Sequence, residues 1–214
     1  MSGMESGGGI CRADALLSLR PTPAVVEMGA LGDVMHTTLN AAHHANRHGS
    51  ADDRLAVALP GLHIHRGRAR PGQEVVLYGS EEALNRFLAL DGVKTLLRRG
   101  MIAAPEILPC WYAAGESGTA FLRDRSTARL STGALRRAQA RALRRGGIPR
   151  PQAEGDAPDP SVLALHYGAA VVHVRAMVAT VTAQPLLVST YGFSSGQAPA
   201  VLPIALSLRV CNAA

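Results

Sequence analysis

The chain has 214 residues, with 22 Lys and Arg against 16 Asp and Glu, a net charge of +6 and 47% hydrophobic residues. That length holds one large or two small domains with a substantial core, and the positive excess points to a polyanionic partner and away from acidic or neutral-surface binding classes. Three cysteines, Cys11, Cys110 and Cys211, stand far apart with no CxxC pair, so neither a zinc knuckle nor a disulfide framework is expected, and a reducing cytoplasm fits.

The opening MSGMESGGGI lacks the basic start and apolar run of a signal peptide, and no stretch reaches about 18 apolar residues. The expectation is a disordered Gly/Ser leader over 1–11 and no membrane span. Asp14 to Arg20 reads as a buried strand ended by Pro21 and Pro23, and Ala24 to His48 as one long helix. Arg54 to Leu59 is a second strand stopped by Pro60-Gly61; a basic loop leads to a third at Gln73 to Tyr78. Ser80 with Glu81 and Glu82 is an N-cap with an acidic first turn, opening a helix through Leu88; Asp91 opens another through Arg99. Met101 to Leu108 offers a fourth strand. The fold class is therefore α+β, and the order βαββαβ over 12–112 is that of a ferredoxin-like, RRM-like sandwich.

After Trp111 the composition turns to Gly, Ala and Ser, predicting a linker over 113–122 and a smaller, β-rich C-terminal domain over 123–214. Strands are expected at Ser161 to His166, Ala170 to Ala179 and Leu186 to Thr190. Between them, residues 123–150 carry nine arginines and no lysine, with Asp124 the only acid. Ser131 can cap a helix over 131–145 that Gly146-Gly147 and Pro149 stop. On it Arg137, Arg141, Arg144 and Arg145 share one side, and Leu135, Ala138 and Ala142 the other. A solvated surface helix would carry glutamates at i±4; here there are none, so the comb is read as a nucleic-acid face. Arg125, Arg129 and Arg136 extend it. Guanidinium forks favour bidentate contacts to phosphate and guanine over loose point-charge attraction.

Eight histidines invite a metal reading. His44 and His48 are an i, i+4 pair and His63-x-His65 a second, yet neither has a carboxylate or cysteine at matching distance, so no metal or other cofactor is expected. A histidine base can activate a ribose 2′-hydroxyl without metal.

The segment ALGDVMHTTL, the strand RLAVALPGL, the strand and helix QEVVLYGSEEALNRFLAL, the arginine helix and the late STYGFSSG with VLP together resemble the CRISPR-associated endoribonucleases of the Cas-six type, type I-F (Csy-four-like) subfamily. The resemblance implies a metal-independent enzyme that binds the CRISPR repeat stem-loop and cuts precursor crRNA at the 3′ base of the stem by 2′-hydroxyl attack. It also implies that the product hairpin stays bound, within a type I-F surveillance complex whose other subunits are partners and which reaches target DNA only through the complex. The catalytic role falls on His36, with Tyr191 packing against or orienting it. The arginine helix, through Arg136, Arg137, Arg141, Arg144 and Arg145, corresponds to the one inserted in the stem-loop groove. Arg125 and Thr127 stand at a family Arg-x-Gln pair, with threonine replacing the glutamine. The family's Ser-x-Ser-Thr-Gly reads ALHYG here, Ala164 to Gly168, so Tyr167 or His166 is the candidate for the missing hydroxyl or imidazole, and Ser161 a more distant one. That departure also opens the alternative of a hairpin-binding structural subunit without catalysis.

Overall fold

The structure is a computed structural model that describes residues 8–66, 68–111, 113–124, 132–146, 159, 161–167, 170–181 and 185–203; for 132–135, 137 and 138 it describes the backbone alone. It is a mixed α+β chain with several antiparallel sheets.

The first sheet is built on β2 (Ala15–Leu19), where Ala15, Leu17 and Leu19 are buried and the residues between them half-buried. This is the period-two pattern of a strand with one face on a core. The chain then forms α1 (Pro23–Glu27) and α2 (Leu31–His48). The single helix expected over Ala24 to His48 is thus broken. Gly29 takes φ +71, a conformation that a residue with a Cβ adopts at a cost, and the Ala30 amide bonds back to the Val25 carbonyl to close α1. Strands β3 (Ala56–Ala58) and β6 (Val75–Gly79) are buried throughout. Between them lies a hairpin, β4 (His63–His65) and β5 (Arg68–Arg70), with Arg66 at φ 49 in its turn. Helices α3 (Glu81–Leu88) and α4 (Asp91–Arg98) follow, then β7 (Ile107–Pro109).

The sheet order is β3-β6-β2-β7, antiparallel throughout. Ser80 caps α3 as expected, accepting from the Ala83 amide at 3.0 Å while donating to Asp53 at 2.6 Å. The fourth strand is shorter than the expected Met101 to Leu108: Pro105, with no N–H to donate, separates Ile107–Pro109 from an isolated bridge at Ile102. Asn46, buried on α2, donates to the Leu55 carbonyl and accepts the Leu55 amide at 2.9 and 2.7 Å. It pins the helix to the edge of β3 as a further strand would.

The second sheet has the order β12-β8-β10-β9, from β8 (Ser117–Asp124), β9 (Leu163–Tyr167), β10 (Ala170–Thr180) and β12 (Val201–Leu202). Residues 117–122, expected as linker, are therefore strand. Their small side chains serve close packing: a Cβ on Gly118 would run into Val181, Val201 and the Leu202 carbonyl, and Thr119 and Ala120 are fully buried. The leader expectation also changes, because β1 (Gly9–Cys11) pairs with β11 (Leu186–Val188). Arg54 holds that pair through its amide to Ile10 at 2.8 Å and its Nη1 to the Val188 carbonyl at 3.1 Å.

Helix α5 (Thr132–Arg144) occupies the expected position and ends at Gly146 with φ +69, the left-handed close that glycine favours. One cluster of buried apolar side chains draws on both halves, from Leu17, Leu39 and Leu77 to Leu165, Tyr167, Val174 and Phe193. The site lies where α2 meets β9 and the turn after β11.

Candidate active site and nucleic-acid interface

The turn Ser189–Gly192 brings the late tyrosine to α2. The Gly192 amide bonds to the Ser189 carbonyl, and the Gly192 carbonyl accepts the Val57 amide at 2.9 Å. Gly192 has φ +79, and a Cβ there would strike Val57, so glycine alone fits both the turn and the contact. The two residues before it reach back to one histidine. The Thr190 carbonyl lies 3.0 Å from His43 Nδ1, and the Tyr191 ring stacks on the imidazole at 4.2 Å between centroids with 6° between planes.

The resemblance puts the base on His36 with Tyr191 beside it; the structure stacks Tyr191 on His43 instead. His36 and His43 are seven residues apart on α2, about two turns, so both lie on one stripe of the helix. A carbonyl can only accept, so His43 Nδ1 carries the proton and Nε2 the lone pair. Burial, aided by the nearby cations of Arg47 and Arg123, outweighs the Thr190 hydrogen bond and pushes the His43 pKa below its ordinary value. At neutral pH the ring is therefore a neutral imidazole with its proton fixed on the far nitrogen, the state a general base requires.

Tyr167, at the end of β9, meets the Tyr191 ring edge-on at 4.9 Å and the His43 ring at 6.0 Å. Its hydroxyl is buried and has no hydrogen-bond partner among the described residues. Burial first, then the neighbouring Tyr191, drive its pKa well above the ordinary phenol value. Tyr167, the candidate for the missing hydroxyl, thus has that hydroxyl buried, and its ring packs against the His43-Tyr191 stack. Arg123, from β8, lays its guanidinium over the Tyr191 ring at 4.8 Å to the centroid, a cation–π contact that brings a positive charge to the same cluster. Arg123 was legible as the first arginine of the cationic run; His43 carried no local signal, because its partners lie 147 residues away.

His36 stands in a different environment. Its Nε2 is 2.9 Å from the Asn40 side-chain amide nitrogen, which as a donor occupies that lone pair. It faces an open groove of about 780 Å3 that also takes in Arg68, Arg70 and His166. His36 and His166 thus share a groove whose described lining does not include Tyr191.

Of the expected RNA contacts, Arg136, Arg141, Arg144 and Arg145 are exposed on or just after α5, and Arg144 bonds back to the Ala140 carbonyl at 3.3 Å. Arg137 belongs to the helix, with its side chain outside the described residues. Arg125, Thr127 and Arg129 lie outside them entirely. Among the described residues, no three His, Cys, Asp or Glu side chains gather as a metal cluster; His44 and His48 do meet, ring to ring at 4.4 Å. No described helix is long and apolar enough to cross a membrane. No protein-family model matches this chain, and no curated protein matches it.

Proposed function

We propose that the protein is a metal-independent endoribonuclease of the Cas-six type, a type I-F-like processor of CRISPR repeat RNA, with His43 as its base. One observation carries this reading: the His43 imidazole is clamped by the Thr190 carbonyl and the Tyr191 ring, neutral, with Nε2 bearing the lone pair. In the reaction Nε2 takes the ribose 2′-hydroxyl proton and the oxygen attacks the adjacent phosphorus. The P–O5′ bond breaks, the 5′ oxygen leaves with the electron pair and is protonated from water, and a 2′,3′-cyclic phosphate remains. Arg123, a step away over Tyr191, supplies positive charge for the phosphorane, and the exposed arginines of α5 bind the stem.

The fold supports the same reading. Strands β2, β3, β6 and β7, with α2 and α3–α4 between them in chain order, form the sheet β3-β6-β2-β7, the arrangement of a ferredoxin-like sandwich, a scaffold that recurs in RNA recognition. After cutting, the protein keeps the hairpin and serves as the cytoplasmic subunit that caps the guide's 3′ end in a surveillance complex.

The absence of an exposed hydroxyl at Tyr167 favours one second reading, a hairpin-binding subunit without catalysis. Incubating end-labelled repeat RNA with the protein in EDTA separates them. The enzyme reading expects a single cut at the 3′ base of the stem and a cyclic-phosphate end; bound but intact RNA selects the structural subunit, and cleavage only on adding magnesium defeats the mechanism.

A further inference from the structure

The segment HIHRGRAR, His63 to Arg70, plays no part in the site above. It folds as the β4–β5 hairpin, whose register sets His63 opposite Arg70, Ile64 opposite Ala69 and His65 opposite Arg68. Because side chains alternate across a strand, His63, His65, Arg68 and Arg70 share one face, while Ile64 and Ala69 share the other. Ala69 packs against the main core; Arg68 and Arg70 are exposed. Arg68 and Arg70 set two like charges close together on one strand face, and an anion laid over them relieves their repulsion.

Strand β5 borders the groove of about 780 Å3, which Arg68, Ala69 and Arg70 line together with His36, His166 and Leu165. Among the described residues the groove carries one acid, Asp159, whose Oδ1 accepts from the Ser161 amide and hydroxyl at 2.9 and 2.7 Å. Its direction matters. On α2 it reaches from Gly32 to Leu39, stopping one turn before His43; on β9 it covers Leu163 to His166, and the next residue, Tyr167, touches the His43-Tyr191 stack. The groove therefore runs alongside α2 and β9 toward the proposed active site and ends about one helical turn short of it, with His36 about 10 Å from His43 along the helix axis. Its floor is apolar, from Met35, Leu39 and Leu165, and its rim is cationic, which suits a polymer that has flat bases on one side and phosphates on the other.

We infer that this groove holds the single-stranded RNA flank of the repeat, with Arg68 and Arg70 on successive phosphates and bases lying over the apolar floor. The inference rests on the proposed RNA-processing reading and adds a second contact surface to it, separate from the arginine helix. The flank is thereby led past His36 toward His43, and the hairpin, not the helix, measures where the stem ends.

The test compares two labelled RNAs by fluorescence anisotropy: the repeat stem-loop alone, and the same stem-loop with a single-stranded flank of about eight nucleotides. The double variant Arg68→Ala/Arg70→Ala is expected to bind the bare stem-loop within about twofold of wild type and the flanked RNA about tenfold more weakly, with a shallower salt dependence. Arg68→Lys/Arg70→Lys, which keeps the charge, recovers most of the loss and shows that the hairpin folds. Equal weakening toward both RNAs, or no change toward either, overturns the groove assignment while leaving the enzyme reading intact. A wild-type protein that binds neither RNA overturns both. A polyglutamate peptide that displaces the flanked RNA as well as unlabelled RNA does would give the groove to an acidic protein segment and also overturn it.

Discussion

At the scale of residues, the proposed chemistry turns on which nitrogen of which histidine is available. His43 Nδ1 is held by the Thr190 carbonyl and His36 Nε2 is held by Asn40, so the two imidazoles on one helix stripe are presented in opposite senses. Tyr167 gives the sharpest local prediction. Its buried hydroxyl has no partner among the described residues, and an unsatisfied buried hydroxyl is a cost, not a gain. Tyr167→Phe should keep the rate of RNA cleavage and leave stability unchanged or raised by up to about 1 kcal/mol in urea titration; a large loss of cleavage would return the phenol to the chemistry. Tyr167 and Tyr191, both read from the sequence, come together in the structure, on His43 and not on His36: the two histidines occupy equivalent positions on α2, and only the long-range docking of the Ser189–Gly192 turn distinguishes them.

Among elements, that turn is the critical connector. It is fixed by the Val57 amide and by a glycine that nothing larger can replace. Gly192→Ala forces a Cβ into Val57 and strains the left-handed backbone, with an expected loss of about 1–3 kcal/mol and a fall in cleavage that exceeds the fall in RNA affinity, since Tyr191 and the Thr190 carbonyl are displaced together. Thermal melting and single-turnover kinetics on the same sample check both parts. Elements with strong local chemistry were readable in advance: the Ser80 cap with Glu81 and Glu82, the alternating strand at Ala15–Leu19, and α5 with its glycine stop. Elements whose local chemistry misleads were not. β8 reads as a linker because its Gly118, Thr119 and Ala120 are small, yet Thr119 and Ala120 are fully buried and Val181 and β12 leave no room for a Cβ at Gly118. The β4–β5 hairpin hides in a basic stretch because its strands are three residues each and mostly polar.

For the whole molecule, the two halves meet in one core, and the site is assembled from both. α2 carries His36 and His43; the second half carries Arg123, Tyr167, Thr190 and Tyr191. The exposed arginines of α5 and of the β4–β5 hairpin form two cationic surfaces from different parts of the chain. The basic isoelectric point suggests a polyanion, but sequence order could not reveal that Arg123 meets His43 of α2 through the Tyr191 ring. The most direct test is the single-turnover cleavage rate of repeat RNA in EDTA for wild type, His43→Ala and His36→Ala between about pH 5 and 8. A base whose pKa is lowered stays neutral further into acid, so the wild-type rate should hold level from pH 8 down and fall only below the ordinary imidazole value of about 6.5. His43→Ala should lose at least about a hundredfold in rate with RNA still bound, while His36→Ala keeps most of the rate. Full activity in His43→Ala with its loss in His36→Ala would contradict the account.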